Sequence, residues 1–85
     1  MIQTVVKRNG YKEEFNVNKI VNAIKKAFNA CNLTCPTNEN IRERLEKYLP
    51  NVTSISVEDI QDKVEEYLYK ECNYKVAKAY TLYRA

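Results

Sequence analysis

The chain has 85 residues, of which 45% are hydrophobic and 29% are charged, and its formal net charge at pH 7 is +3. This length allows one domain with a single small core, and the composition excludes a disordered chain; no apolar run approaches the ~20 residues of a membrane-spanning helix. With one glycine and two prolines the chain lacks the frequent turns of barrels and sandwiches, so a mostly helical fold is expected.

The N-terminal segment has the pattern of a β-hairpin. Residues 2–8 are short and rich in β-branched side chains, and Asn9-Gly10 follows at once. This dipeptide favours a two-residue type I′ turn, which places Lys7 opposite Lys12 and leaves Lys7 on one face. The side chains on the other face are then Arg8, Glu13 and Phe15. A shift of the register by one residue would change these faces.

A first helix is predicted over residues 17–30. Asn16 is a good N-cap, and Phe15 and Ile20 have the spacing of a hydrophobic staple. The residues that form one apolar stripe at helical spacing are Val17, Ile20, Val21, Ile24, Ala27, Phe28 and Cys31.

A second, shorter helix is expected after Cys35-Pro36, with Thr37 or Asn38 as its cap. The apolar residues at helical spacing, before Pro50 ends the pattern, are Ile41, Leu45, Tyr48 and Leu49. Residues 51–55 are a candidate for a brief strand beside the hairpin.

Two more helices complete the pattern. In the third, Ser56 and Asp59 form a box-like cap, and the helix is expected to end near Cys72-Asn73. The residues of that stripe are Val57, Ile60, Val64, Tyr67 and Leu68. The inward residues of the fourth are Val76, Ala77, Tyr80 and Tyr83, and it shows no stop signal at its end, so a fragment of a longer protein is expected.

These elements predict an α+β domain over residues 1–85. It is a small bundle of about four helices, capped by a β-hairpin or a three-stranded sheet. The domain is small enough to be only marginally stable alone.

The residue types exclude several kinds of catalysis. Without histidine the chain cannot hold a Ser-His-Asp triad, a Cys-His pair or a His-metal site. Gly10 is its only glycine, so neither a G-x-G-x-x-G loop nor a P-loop is present. The cysteines Cys31, Cys35 and Cys72, with no secretory signal ahead of them, indicate free thiols in the cytoplasm and are too few for a metal site. Neither catalysis nor a metal ligand set is expected within this chain.

The placement of three cations points to an anion site. Lys7 and Arg8 lead into the hairpin turn, and Lys19 lies in the first turn of the first helix. A lysine there opposes the helix dipole by some tenths of a kcal/mol, which an anion bound at that end would explain. Solvated surface charges, or pairing with Glu13 or Glu14 across the hairpin, explain the same residues.

Seven tyrosines next to basic residues suggest a nucleic-acid-binding surface as an alternative. The helical spacing argues against it, because it assigns four tyrosines to the core. Those four are Tyr48, Tyr67, Tyr80 and Tyr83, whereas Tyr11, Tyr69 and Tyr74 have no such assignment.

Several separated blocks closely resemble the ATP-cone family, in the family's order and spacing, over residues 2–84. The blocks are Val5-Val6-Lys7-Arg8-Asn9-Gly10, Glu13, Phe15-Asn16, Lys19-Ile20, Ala23-Ile24, Ile55-Ser56, Ile60-Gln61-Asp62, Val64-Glu65, Val76-Ala77-Lys78-Ala79-Tyr80 and Tyr83-Arg84. The family's turn usually reads Lys-Arg-Asp-Gly, and Asn9 here keeps the turn but removes an anionic side chain.

The resemblance implies an allosteric domain that binds ATP or dATP, with Mg²⁺ as a possible companion of the triphosphate. Such cones lie chiefly at the N-terminus of the ribonucleotide reductase large subunit, and the opening residues resemble the anaerobic type. A bacterial repressor of reductase genes also carries a cone, behind a zinc ribbon that does not precede Ile2 here. The implied partners are the nucleotide, the remaining catalytic domain or subunits of a reductase, and a second copy of the chain. The cysteines match no functional position.

The resemblance also implies a set of nucleotide-binding residues. Lys7, Arg8 and Lys19 would hold phosphates, and Glu13 and Asn16 would contact the nucleoside or order the loop. The residues that would enclose the adenine are Phe15 or Ile20, with Val57 and Gln61. Arg84 would supply another cation.

Overall fold

The computed structural model describes the backbone of residues 1–84 and the side chains of residues 1–82. Its elements in chain order are β1 Thr4–Val6, β2 Lys12–Glu14, α1 Val17–Ala30, α2 Asn38–Glu46, β3 Ser54–Ser56, α3 Val57–Tyr67, a π-helical turn Leu68–Cys72, and α4 Tyr74–Arg84. Four α-helices and a three-stranded mixed sheet confirm the predicted α+β class. None of the helices in residues 1–84 is long and apolar enough to cross a membrane.

The sheet has β1 in its centre. Strand β2 pairs with β1 in antiparallel fashion, with Val5 opposite Glu13, and β3 pairs with β1 in parallel fashion, with Val5 opposite Ile55. The predicted brief strand is therefore real, although it lies at Ser54–Ser56 rather than at residues 51–55. This third strand places the first residue of α3, Val57, directly beside the hairpin.

The predicted type I′ turn and its register are wrong. The Gly10 N–H donates to the Lys7 carbonyl at 2.9 Å, and the Lys7 N–H donates to the Tyr11 carbonyl at 2.8 Å, so the loop has three residues, 8–10. Gly10 takes a positive φ of 86° and Asn9 does not, which is the pattern of a type I turn followed by a left-handed residue. The extra loop residue moves Lys7 to the same face as Glu13.

The predicted helix caps are confirmed. Asn16, Thr37 and Ser56 each accept a hydrogen bond from a backbone N–H in the first turn of their helix, at 3.0, 3.2 and 3.1 Å. Helix α1 has the predicted bounds. A cap that the sequence reading missed is Asn73, whose side chain accepts from the Lys75 N–H at 2.8 Å.

Two helix ends differ from the prediction. Helix α2 ends at Glu46, and Tyr48 and Leu49 belong to the turn before Pro50 rather than to the helix. Helix α3 ends at Tyr67, where the π-helical turn begins. A π turn adds a residue to the helical repeat, which shifts the direction of the chain before α4.

The core lies between the sheet and the helices. Its buried side chains are Ile2, Val21, Ile24, Ala27, Phe28, Ile41, Leu45, Ile55, Ile60, Val64, Tyr67, Leu68, Val76, Ala77 and Tyr80. Tyr67 packs against Tyr48 with ring centroids 5.9 Å apart. The predicted inward stripes are confirmed for most of their residues, but Val57 is not part of the core: as the first residue of α3 it is half-buried beside the hairpin loop. The side chain of Tyr83 lies outside the described residues.

We expect Gly10→Ala to destabilise the fold by about 1 kcal/mol, because an alanine at φ 86° is strained even though no atom lies within 4 Å of its added Cβ. Gly10→Asn is the matched control, since asparagine tolerates this conformation better. Urea denaturation of both variants measures the difference. Equal losses would show that the left-handed conformation is not the cause.

Candidate functional site

Two lysines from different elements converge on one carboxylate. Glu13 of β2 accepts a hydrogen bond from the ammonium of Lys19 in α1 at 2.8 Å. The second carboxylate oxygen of Glu13 lies 3.3 Å from the ammonium of Lys7, the residue that follows β1. The Glu13 side chain is 39% exposed, whereas those of Lys7 and Lys19 are 49% and 67% exposed. The lysines are therefore held near one another and remain open to solvent. We call these three residues the cation cradle.

The cradle changes the acidity of its carboxylate. The Lys19 hydrogen bond, and then the Lys7 hydrogen bond, lower the pKa of Glu13 below its ordinary value of 4.5. Glu13 therefore stays ionised at neutral pH and balances one of the two positive charges. A net positive charge remains, which favours an anionic ligand.

A shallow depression of about 320 Å³ lies next to the cradle, between the hairpin loop and the start of α3. Its lining residues are Lys7, Arg8, Asn9 and Val57. Arg8 reaches across to α3, where its Nε lies 3.1 Å from a carboxylate oxygen of Glu58. Lys7 belongs to both the cradle and the depression, so the two form one surface.

The two helix N-termini beside this surface differ in charge. The first turn of α1 contains no acidic residue and includes Lys19, whereas the first turn of α3 carries Glu58 and Asp59. Acidic residues at α3 already complement its dipole, but the positive end of α1 has no such charge of its own. The end of α1 is therefore the better place for an anion.

The structure brings some of the predicted site residues together and separates others. Asn16 is exposed and caps α1, Ile20 is half-buried against the core, and Gln61 is half-buried one turn along α3 from Val57. Phe15 instead lines a separate cavity of about 340 Å³. The other residues of that cavity are Met1, Ile2, Val17, Arg42, Glu46, Leu49, Pro50 and Asn51. The side chain of Arg84 lies outside the described residues.

One residue of the site was missed by the sequence reading. Glu58 was assigned no role, although the cap at Ser56 already placed it in the first turn of α3. Its contact with Arg8 depends on the pairing of β3 with β1, which the local sequence pattern does not specify. The pairing of Lys7 with Glu13, which was one of the open alternatives, is present.

The exposed tyrosines do not gather around the basic surface. Tyr69 and Tyr74, which are 70% and 60% exposed, line a groove of about 520 Å³ between α3 and α4. Tyr11 is exposed on the hairpin itself. A stacking surface for nucleic acid needs several aromatic rings interleaved with cations. Within residues 1–82 the hairpin offers a single exposed ring, that of Tyr11.

Comparison with known proteins identifies the family of the chain. Residues 3–85 match the ATP cone domain family. The chain belongs to the ATP-cone family. It is also 36% identical, over 94 aligned positions, to the ribonucleoside-diphosphate reductase subunit alpha of Chlamydia trachomatis serovar D. That alignment covers 95% of this chain and 9% of the reductase subunit, so the chain corresponds to a small part of that protein.

The cradle predicts an order of pKa effects at Glu13. Lys19→Gln should raise the pKa of Glu13 more than Lys7→Gln does, because the Lys19 hydrogen bond is the larger cause of its lowering. The stabilisation that Glu13 contributes is present above its ordinary pKa of 4.5 and is lost as pH falls through the lowered pKa of the folded state. Carboxyl ¹³C NMR titration measures both effects, with Lys12→Gln on the opposite face as the control. A Glu13 that titrates at 4.5 in the wild type would contradict the cradle.

Proposed function

We propose that the chain binds ATP or dATP at the cation cradle as an allosteric signal, without turnover, and so regulates a ribonucleotide reductase of which it forms a part. The observation that carries this proposal is the convergence of Lys7 and Lys19 on Glu13, at a helix N-terminus free of acidic residues, in a chain of the ATP-cone family. Cones of this family bind adenine nucleotides.

The phosphates would bind at the cradle and the loop. Lys7 and Lys19 supply two ammonium groups, and Arg8 supplies a guanidinium that suits bidentate phosphate contacts. In this structure each of the three cations contacts a carboxylate, Glu13 or Glu58. The carboxylate oxygens occupy positions where phosphate oxygens would accept hydrogen bonds from the same cations. Mg²⁺ would arrive with the triphosphate, because it is usually held by phosphate oxygens and water rather than by a protein cage.

The adenine would bind against the start of α3. Val57 lines the depression next to Lys7, and Gln61 follows it by one helical turn, so a ring that contacts Val57 comes within reach of an amide that can both donate and accept. Ile20 of α1 is the apolar candidate for the facing side, and Asn16 and Glu13 would contact the nucleoside or order the junction. Phe15 is a weaker candidate than Ile20 for contact with the adenine, because it lines the separate cavity.

Regulation would follow from a change in packing rather than from chemistry in this chain. A bound nucleotide links the hairpin, α1 and α3, and the altered surface would contact the catalytic domain, another subunit or a second copy. Coupling of this kind is typically about 1 to 3 kcal/mol, enough for a roughly 5- to 150-fold effect. ATP and dATP differ by one hydroxyl, so opposite responses would require each ligand to favour a different assembly.

The comparison supports the reductase rather than the repressor, because a protein similar to this chain over 95% of its length is a reductase subunit alpha. The anaerobic type stays a prediction. The free thiols of Cys31, Cys35 and Cys72 support a reducing compartment, which for this function would be the cytoplasm.

Nucleotide binding should be visible as thermal stabilisation. ATP or dATP at 100 times its dissociation constant should add about 2.7 kcal/mol to the free energy of unfolding, a rise of roughly 10 to 20 °C in Tm for a domain of this size. Lys19→Glu should abolish this rise, because it replaces a cradle cation by an anion, while the fold is retained. Lys12→Glu, the same charge reversal on the opposite face of the hairpin, should keep it.

The measurement is thermal shift with ATP, dATP, GTP and a single-stranded oligonucleotide. Stabilisation by the oligonucleotide but not by adenine nucleotides would replace the proposal by nucleic-acid binding, whose affinity falls steeply with salt. Unchanged ATP binding in Lys19→Glu would show that the phosphates bind elsewhere.

A further inference from the structure

A second carboxylate, from α3, holds the arginine of the hairpin loop. The Nε of Arg8 lies 3.1 Å from Glu58, and this contact joins the tip of the hairpin to the first turn of α3 across the depression. Because the loop has three residues, Arg8 is its first residue and lies beside Lys7, at the edge of the cradle.

The two carboxylates of the site are held differently. Glu13 contacts two lysines and is 39% exposed, and its pKa is lowered by both contacts. Within residues 1–82 Glu58 forms an ion pair with Arg8 alone, and the side chains of Glu58 and Arg8 are 64% and 62% exposed. An ion pair as exposed as this is weak and exchanges readily. Glu58 is therefore the carboxylate that a competing anion displaces first.

A bound polyphosphate would change the partner of Arg8. A guanidinium binds phosphate with two parallel hydrogen bonds, which are stronger than its single contact with Glu58. Release of Glu58 leaves a carboxylate near the bound phosphates, and like charges repel. Both the lost ion pair and this repulsion subtract from the affinity of the site.

We propose that Glu58 is an internal competitor of the ligand, which occupies Arg8 in the free protein and thereby lowers the affinity of the site for adenine triphosphates. This proposal rests on the proposed function, since it assigns a regulating residue to the same site. Glu58 does not touch the cradle lysines; it acts through Arg8, as a residue that sets the affinity.

The test compares Glu58→Gln with Asp59→Asn by calorimetric titration with ATP. Both variants remove one negative charge from the first turn of α3, but only Glu58 contacts Arg8. We expect Glu58→Gln to bind ATP about two- to fivefold more tightly than Asp59→Asn. Equal affinities of the two variants would overturn the role of Glu58 and leave the proposed function intact.

A second measurement follows Arg8 directly. The Nε–H resonance of Arg8 in the ligand-free protein should move in Glu58→Gln and not in Asp59→Asn, and saturation of the wild type with ATP should move it as well. If ATP binds and this resonance stays in place, Arg8 does not change partner and the proposal is wrong. If neither the wild type nor Glu58→Gln binds ATP, the proposed function itself fails.

Discussion

The number of residues between the first two strands decides on which side of the sheet each cation of the hairpin lies. With three loop residues, Lys7 and Glu13 share a face, and Glu13 then meets Lys19 where the chain enters α1. With two, Lys7 would lie on the opposite face and the cradle would lose one of its lysines. The left-handed conformation of Gly10 makes the longer loop possible. In residues 1–84, Gly10 and Asn32 are the two residues with a positive φ.

The helix ends divide the site into two parts. The first turn of α1 carries Lys19 and no acid, and Lys7 of the hairpin is held near it by Glu13, whereas the first turn of α3 carries Glu58 and Asp59. An anion is therefore attracted to the start of α1. The acidic first turn of α3 repels an anion but does not repel an uncharged group. The start of α1 follows directly after β2, and the parallel pairing of β3 with β1 places the start of α3 beside the same hairpin. A nucleotide has the matching asymmetry, with a charged triphosphate at one end and a neutral base at the other.

Most of the fold was predictable from local patterns. Helix caps and apolar spacing act over a few residues, and Asn16, Thr37 and Ser56 cap their helices as expected. Two local features were missed, the π-helical turn after Tyr67 and the length of the hairpin loop, because Asn9-Gly10 suits more than one turn type. The cradle was predicted only as a group of cations near one helix. Which carboxylate each cation contacts depends on register and strand order, and these are set by the tertiary fold.

The most direct measurement is a crystal structure of the chain with ATP. The account predicts phosphate oxygens within hydrogen-bond distance of the ammonium groups of Lys7 and Lys19, with the adenine against Val57. A nucleotide bound instead in the groove between α3 and α4, or in the cavity lined by Phe15, would contradict it.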